Sequence, residues 1–197
     1  MERPLETRRN SEATDSDLLR RSWRGEEEAF AILYRRHHGA VYRFALQMSG
    51  QSALAEEVTQ EVFLLLMSGS AYDPKKGALP AFLYGVARNL VLQALRRERV
   101  FGSNIEDAAG ELSEPAAPDE DLLSGLTRAE EAEMLHQAIL SLPEPYREAV
   151  VLCELHELDY LEAAEIVGCP VGTVRSRLHR ARVLLAWKLR RLQNCAV

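Results

Sequence analysis

The sequence predicts an all-α protein made of two small helical domains that a flexible acidic linker joins. Apolar residues recur at steps of three and four along most of the chain, which is the period of an amphipathic helix. No stretch shows the alternating pattern of a strand bounded by turn signals. Between residues 101 and 127 the helical pattern stops, and Ala, Pro, Gly, Ser and acidic residues replace it. A chain of 197 residues is long enough for two small domains.

The first predicted domain spans residues 15–100, and residues 1–14 form a flexible tail before it. A short helix runs from about Asp17 to Trp23. A long helix follows, because the glutamates at 26–28 favour the positive end of a helix dipole and an apolar stripe continues behind them. The stripe comprises Phe30, Leu33, Tyr34, His37, Val41, Phe44, Ala45 and Met48.

Two more helices complete this domain. The third runs from about Ala53 to Met67. Two glycines and a proline interrupt the pattern between Ser68 and Gly77. The fourth helix starts near Pro80, since proline is tolerated in a first turn, and continues to about Arg99. The residues of the third helix that we expect to point inward are Leu54, Val58, Val62 and Leu65.

Charge is distributed unevenly, although the formal net charge is only -6. Residues 101–165 carry 2 basic and 17 acidic side chains, whereas residues 166–197 carry 7 basic side chains and no acidic one. The segment 101–127 also holds too few large apolar residues to offset the entropy of ordering it. We therefore expect a flexible acidic linker there and a basic helix at the C-terminal end.

The second predicted domain spans residues 128–192 and leaves 193–197 as a tail. Its first helix runs from about Arg128 to Leu140. The segment Leu142 to Pro145 opens the next helix, which contains Tyr146, Val150, Val151 and Leu155.

The last two helices have the spacing of a helix-turn-helix. Asp159 is placed to cap the first of them, and Glu162 completes a capping box. Gly168 ends that helix, as a glycine just past a helix end does. Ala164 supplies a small residue where the two helices cross, and Val174 anchors the second helix.

The final helix separates an apolar stripe from a basic arc. The stripe comprises Val174, Leu178, Ala181, Leu185 and Leu192, and the arc comprises Arg175, Ser176, His179, Arg180 and Arg182. A helix presented in this way lays its N-terminal side chains in the major groove, while nearby arginines neutralise phosphates. A solvated helix face is the alternative, but such faces usually mix charges of both signs. The pattern therefore favours DNA binding.

The third and fourth helices carry weaker signals. The fourth places Phe82, Asn89, Gln93, Arg96 and Arg97 on one arc, opposite Leu83, Ala87, Leu90, Val91 and Ala94. Aromatic, amide and guanidinium groups suit stacking on unpaired bases, but a core helix with a polar back explains the arc equally well. The third helix exposes Glu56, Glu57, Gln60 and Glu61, either as solvated surface or as a face that docks on a basic protein.

Three segments together resemble the extracytoplasmic-function (ECF, group IV) sigma factors of bacterial RNA polymerase. They are "AEEVTQEVF" (55–63), "YDPKKGALPAFLYGVARNL" (72–90) and "LPEPYREAVVLCELHELDYLEAAEIVGCPVGTVRSRLHRAR" (142–182). The resemblance covers nearly the whole chain except the N-terminal tail and the linker. It implies a region-2 domain that binds the largest-subunit coiled coil of core polymerase and melts the minus-ten element. It also implies a region-4 domain that binds the minus-thirty-five element and docks on the polymerase flap.

The resemblance also implies which residues form each contact. The coiled-coil contact would use Glu57, Gln60 and Glu61. The loop from Tyr72 to Pro80 would capture a flipped base, and the minus-ten contacts would be Tyr72, Asp73, Lys75, Lys76, Phe82, Asn89, Gln93, Arg96 and Arg97. The minus-thirty-five contacts would be Thr173, Arg175, Ser176, Arg177, His179 and Arg180.

Some positions depart from the family pattern. Phe82 stands where a tryptophan is common, and Gly85 stands where a basic residue is common. The segment "LLLMSGSA" also lacks the usual tryptophan after the core-binding motif. Less stacking area and one missing charge lead to the hypothesis that this protein melts promoters weakly and depends strictly on promoter sequence.

The sequence therefore predicts a promoter-specificity subunit with no active site and no cofactor. The chain contains no sensor domain, so we expect an anti-sigma factor to hold it inactive until a signal arrives. The alternative is a stand-alone helix-turn-helix repressor or activator, which would bind operator DNA without polymerase. No nucleophile motif, phosphate loop or suitably spaced carboxylate pair supports an enzyme.

Cysteine usage and hydropathy favour a cytoplasmic protein without a metal. Cys153, Cys169 and Cys195 are odd in number and widely spaced, so they are predicted to be reduced thiols. Cys153 and His156 form one C-x-x-H pair, which is weak evidence for zinc. The first fifteen residues lack an apolar secretory core, and no apolar run is long enough to insert in a membrane.

Overall fold

The structure is a computed structural model that describes residues 13–69, 72–74, 77–102 and 128–195. Throughout those ranges the regular elements are helices and strands are absent, which confirms the predicted all-α class. Lys75, Lys76 and almost all of the predicted linker, residues 103–127, lie outside the described residues.

In the described ranges, the first domain contains four helices. They are α1 (Asp15–Ser22), α2 (Glu27–Ser49), α3 (Ser52–Met67) and α4 (Leu79–Gly102). Helix α1 begins earlier than predicted because the Thr14 hydroxyl caps it, accepting a hydrogen bond from Asp17 N at 3.2 Å. Helix α4 runs past the predicted end of the domain to Gly102.

The described part of the second domain also contains four helices. They are α5 (Arg128–Leu140), α6 (Glu144–Val150), α7 (Tyr160–Val167) and α8 (Val171–Cys195). A π-helical turn, Val151–Leu155, extends α6. Helix α8 continues to Cys195, so it enters the segment 193–197 that the sequence assigned to a tail.

The core of the first domain forms where α3 packs against both α2 and α4. Most predicted inward positions are buried, among them Leu33, Phe44, Met48, Leu54, Val58, Val62, Leu83, Ala87 and Val91. On α3 the prediction was incomplete, because Phe63 and Leu66 are buried whereas Leu65 is half-buried. A helix with a neighbour on each side buries a wider arc than a single stripe. Phe63 fills that arc, with its ring centroid 4.8 Å from that of Tyr34.

The two domains pack directly against each other. Helix α4 contacts α7, and α2 contacts both α5 and the π-helical turn. Arg147 joins them, because its guanidinium donates to Met48 O at 2.6 Å, to Leu142 O at 3.1 Å and to Leu140 O. The sequence did not indicate this contact, since Arg147 donates to backbone carbonyls, and the one in the first domain, Met48 O, lies 99 positions away along the chain.

Candidate nucleic-acid interface

A capping box and a left-handed glycine fix the helix-turn-helix, as the sequence predicted. The Asp159 carboxylate accepts from Leu161 N and Glu162 N, each at 2.8 Å, and Asp159 N donates to the Glu162 carboxylate at 3.0 Å. Gly168 closes α7 with φ +73°, a conformation that favours glycine. Ala164 and Val174 are buried at the crossing of α7 and α8.

Helix α8 presents the predicted basic arc to solvent. Arg175, Ser176, His179 and Arg180 are exposed, whereas Val174, Leu178 and Ala181 are buried. Further along the helix the predicted stripe needs a correction, because Leu184 is buried and Leu185 only half-buried. Thr173 and Arg177, also predicted to contact DNA, are half-buried, and the Arg177 guanidinium lies 4.0 Å from Cys169 Sγ in the turn.

Arg175 and Arg182 of α8 contact side chains that lie outside the helix-turn-helix turn. The Arg175 guanidinium carbon lies 5.5 Å from the centroid of the Tyr160 ring, within cation–π range. This contact holds Arg175 against the first turn of α7. Arg182 forms an ion pair with Glu154 and is therefore engaged away from the first turns of α8.

The segment that precedes α4 is supported by a buried tyrosine. Tyr72 is 9% exposed, its hydroxyl donates to Gly77 O at 2.9 Å, and its ring centroid lies 5.0 Å from that of Phe82. Burial, reinforced by the negative charges of Asp15 and Asp73, raises the pKa of Tyr72. Tyr72 therefore anchors the segment that precedes α4 through its hydroxyl and its ring.

The C-terminal half of α4 borders an open groove of about 670 Å³. Asn89, Gln93, Arg96 and Arg97 are exposed along it, which matches the predicted polar arc. Phe82, the aromatic member of that arc, is half-buried at the other end of α4 against Tyr72. The amide and guanidinium groups therefore lie along the groove at the C-terminal half of α4, whereas the aromatic ring of Phe82 lies at its other end.

The aromatic end of α4 borders a second, smaller cleft of about 260 Å³. On one side it is lined by the first domain, with Tyr72, Asp73, Phe82 and Gly85 among the lining residues. Glu165 and Ile166 of α7 line the other side. The second domain therefore forms one wall of the cleft to which the resemblance assigns the flipped base.

Helix α3 carries the predicted acidic face, and the structure adds an apolar extension. Glu57, Gln60 and Glu61 are exposed. One turn further along, Leu64 is 57% and Met67 54% exposed. Sequence reasoning missed these two, although they continue the same face at steps of three and four. Acidic and apolar side chains together suit a protein partner with a basic, partly apolar surface.

His156 belongs to the contact between the domains. Its Nε2 lies 2.9 Å from Gln47 Oε1 and its Nδ1 lies 2.9 Å from the Tyr84 hydroxyl, so both ring nitrogens are engaged. In the described part of the chain, no cluster of three His, Cys, Asp or Glu side chains is arranged to hold a metal ion. Cys153 and Cys169 are free thiols, and burial raises the pKa of the Cys153 thiol. No helix among the described residues is long and apolar enough to cross a membrane.

Comparisons with known families match both domains. The family model described as Sigma-70 region 2 matches residues 33–100, and the model described as Sigma-70, region 4 matches residues 132–185. Together with the helix-turn-helix geometry, these matches define a protein of the sigma-70 class.

Whole-chain relatives narrow the class. The chain is 34% identical over 185 residues to the ECF RNA polymerase sigma-E factor of Escherichia coli, covering 88% of this chain and 93% of that protein. It is 30% identical over 188 residues to the ECF RNA polymerase sigma-E factor of Haemophilus influenzae, covering 91% and 97%. The chain belongs to the ECF RNA polymerase sigma factors.

Solved structures share the fold. The sigma factor RpoE in complex with the anti-sigma factor NepR from Bartonella quintana matches with a TM-score of 0.62 and 25% identity, covering 82% of this chain and 96% of that chain. CnrH in complex with the cytosolic domain of CnrY matches with a TM-score of 0.65 and 23% identity, covering 89% and 96%.

Proposed function

We propose that this sigma factor binds core RNA polymerase and directs promoter-specific transcription initiation through three separate faces. The observation that carries the proposal is that helices α3, α4 and α8 each expose a chemically distinct face. One chain can therefore bind core RNA polymerase and two DNA elements at the same time. Two weak DNA contacts on one tether gain affinity through effective concentration. Sigma factors are non-enzymatic initiation factors, so the chemistry of transcription belongs to the polymerase.

Helix α8 is the proposed contact with the minus-thirty-five element. Arg175, Ser176, His179 and Arg180 are exposed on its first turns, where a recognition helix meets the base edges of the major groove. Arginine suits both guanine edges and phosphates because its planar fork donates two parallel hydrogen bonds. Thr173 and Arg177 are half-buried at the turn, so we assign them supporting contacts at the rim of this face.

Helix α4 is the proposed contact with the opened minus-ten element. Asn89, Gln93, Arg96 and Arg97 line a groove that can hold a single-stranded backbone. Tyr72 and Phe82 pack together at the smaller cleft, and Asp73 is exposed at its edge. That cleft is the proposed site for a base taken out of the stack.

Helix α3 is the proposed docking face for the largest-subunit coiled coil. Glu57, Gln60 and Glu61 supply the polar part, and Leu64 and Met67 supply apolar area beside it. Glu57→Lys and Glu61→Lys should each weaken core binding severalfold, because each places a cation where the partner presents basic charge. The control is Glu131→Lys, which makes the same change of charge at an exposed position of α5. Equal core affinity for all three variants in a titration with core polymerase would exclude this face.

Regulation by a partner protein is part of the proposal. An anti-sigma factor that covers either the Glu57 face of α3 or the Arg175 face of α8 would block initiation without altering the fold. Affinity purification of the tagged chain from uninduced cells should recover such a protein. Recovery of polymerase alone would contradict this form of control.

Runoff transcription with core polymerase on fragmented genomic DNA tests the function as a whole. The expected result is a set of transcripts that require this chain and share two upstream elements at fixed spacing. Arg175→Ala should reduce transcription from these promoters about 5- to 150-fold, which corresponds to about 1–3 kcal/mol for an arginine that contacts a base. Lys188→Ala, which removes a positive charge farther along the same helix, is the control. Binding of operator DNA without polymerase, and no dependence of transcription on the chain, would favour the repressor alternative.

A further inference from the structure

A tryptophan from another helix lies at the end of α3. Trp23 directly follows α1, and its indole Nε1 donates a hydrogen bond to Leu66 O, in the last turn of α3, at 3.1 Å. Gly69 N donates to the same carbonyl at 3.3 Å. The carbonyls of a last helical turn have no partner within the helix, and each has two lone pairs. The indole therefore joins the end of α1 to the end of α3.

Helix α1, which carries this indole at its end, is firmly attached to α2. The two helices pack against each other, and Leu18 and Leu19 of α1 are buried. The Asp15 carboxylate accepts a hydrogen bond from the Arg36 guanidinium at 2.5 Å and lies 2.7 Å from His37 Nε2. Apolar burial and charged contacts therefore fix α1 in place, so the indole is held between two packed helices.

The fixed indole remains partly open to solvent. Trp23 is 36% exposed, and the carbonyl that it binds belongs to the residue just before the exposed Met67. Exposed apolar side chains that lie at one place on a surface mark an interaction site. A tryptophan whose N–H is already bonded offers a large apolar ring, and little conformational entropy is lost when a partner covers it. The end of α3 therefore presents a preorganised aromatic surface.

This aromatic surface continues the exposed face of α3. Along that face the charges of Glu57 and Glu61 come first, and residues 62–69 carry no charge. Leu64 and Met67 are exposed within the uncharged part, and Trp23 follows at its end. Interfaces commonly combine an apolar centre with a polar rim. A partner that covers the acidic and apolar parts of α3 together therefore meets the indole next.

We propose that Trp23 is part of the surface that docks on the largest-subunit coiled coil of core polymerase. This inference rests on the proposed function of α3. Helix α3 itself contains no tryptophan, so α1 supplies the aromatic contact from outside the helix. The hydrogen bond to Leu66 O fixes the ring, and the partner covers its exposed part. Tryptophan is enriched among the residues that dominate binding energy at interfaces.

Two substitutions separate docking from support of the fold. Trp23→Gln removes the ring and keeps an N–H donor, whereas Trp23→Phe keeps a ring and removes the donor. In a titration of the full chain with core polymerase, Trp23→Gln should weaken binding about 5- to 30-fold, as the loss of an important interface residue does. Trp23→Phe should retain most of the affinity. Leu161→Ala, which removes an exposed apolar side chain on α7, is the control.

The order of the two variants decides the inference. If Trp23 only supports the end of α3, the loss of the hydrogen bond matters more than the loss of the ring, and Trp23→Phe then binds core polymerase more weakly than Trp23→Gln. That order, or wild-type affinity for Trp23→Gln, would overturn the proposal. Urea unfolding checks that both variants are folded. Glu57→Lys and Glu61→Lys decide the proposed function of α3 separately, because neither changes the indole.

Photo-crosslinking identifies what covers the ring. The photoreactive amino acid p-benzoylphenylalanine in place of Trp23 should join the full chain to the largest subunit when the complex with core polymerase is irradiated. The same amino acid in place of Glu131, on exposed α5, should give no such product. A crosslink from position 23 to another subunit alone, or none in a chain that still binds core polymerase, would contradict the assignment of this surface to the coiled coil.

Discussion

A single histidine joins three helices through a defined tautomer. Because the amide oxygen of Gln47 can only accept a hydrogen bond, the proton of His156 lies on Nε2, and Nδ1 accepts from the Tyr84 hydroxyl. Burial, with a smaller contribution from the positive charge of Arg43, lowers the pKa of His156 from 6.5 to about 4. The neutral ring is therefore the form that fits the contact.

This shift in pKa predicts how pH acts on the stability of the folded chain. The folded protein binds the His156 proton less tightly than the unfolded chain does, so its contribution is present above about pH 6.5 and is lost as pH falls towards 4. Urea unfolding at pH 7.5 and 5 should show a smaller loss of stability for His156→Gln than for wild type. Equal losses in the two proteins would contradict the assignment. An NMR titration of the His156 ring should give its pKa directly.

The contact between Tyr160 and Arg175 predicts a positioning role for the tyrosine. Tyr160→Leu should weaken transcription from promoters with an intact minus-thirty-five element by about two- to fivefold, the usual size of an exposed cation–π contact. Tyr160→Phe keeps the ring and should retain most of the activity. Combining Tyr160→Leu with Arg175→Ala should add no further loss; additive losses would show that the tyrosine acts independently of Arg175.

For single residues, the sequence predicted well which side chains are exposed. It predicted poorly which side chains pack against irregular segments and turns. The exposed arc of Arg175, Ser176, His179 and Arg180 follows from helical periodicity alone. Tyr72 lies in an irregular segment, where no periodicity tells whether a side chain points inward. Its burial depends on Phe82 of α4, which the chain brings to it only after folding. Arg177 likewise turns towards Cys169 because of the helix-turn-helix geometry.

At the scale of helices, we expect the same substitution by alanine to change the stability of the protein in opposite directions at Gly85 and Gly168. Gly85 lies inside α4, and a Cβ there would meet no atom within 4 Å, so Gly85→Ala should stabilise the protein by about 0.5–1 kcal/mol. Gly168 has φ +73°, so Gly168→Ala should destabilise it by about 1–2 kcal/mol. Urea unfolding of both variants measures the difference. A loss of stability in Gly85→Ala would mean that the glycine is required for packing.

Helix boundaries were predictable where a local signal marks them. Asp159, Glu162 and Gly168 bound α7 as predicted because caps act within one turn of the chain. The π-helical turn after α6 has no such signal, and the sequence predicted an ordinary helix through Leu155. In the structure His156 N donates to Val151 O at 3.0 Å, which widens the turn before His156 meets the first domain.

At the scale of the whole molecule, the packing of the domains was not predictable. Arg88 and Glu148, which form an ion pair between the domains, are, like Gln47 and His156, polar residues on opposite sides of the linker. Each alone is typical of a helix surface, so no pattern pairs them. The two-domain division itself was predictable because the charge and composition of residues 101–127 differ from those of both neighbours.

For the complete initiation complex, we predict that transcription depends on whether the promoter DNA is duplex or already melted. Phe82 and Gly85 supply less stacking area and less charge than is common in the family, so the sigma factor should melt duplex promoters weakly. Runoff transcription should therefore be higher on a template with a pre-melted bubble at the minus-ten element than on duplex of the same sequence. Gly85→Lys should narrow this difference. Equal activity of the wild-type protein on both templates would contradict weak melting.

The hydrogen bonds of Arg147 allow the two domains to separate at this point without unfolding a helix. Of the three carbonyls that its guanidinium contacts, only Met48 O belongs to the other domain, at the last turn of α2. A carbonyl at a helix end is readily hydrated when its partner leaves, and Arg147 keeps its other two acceptors. Separation at this point therefore melts no helix. Domain motions of this kind take microseconds to milliseconds, whereas unfolding a helix first would add its own free-energy cost.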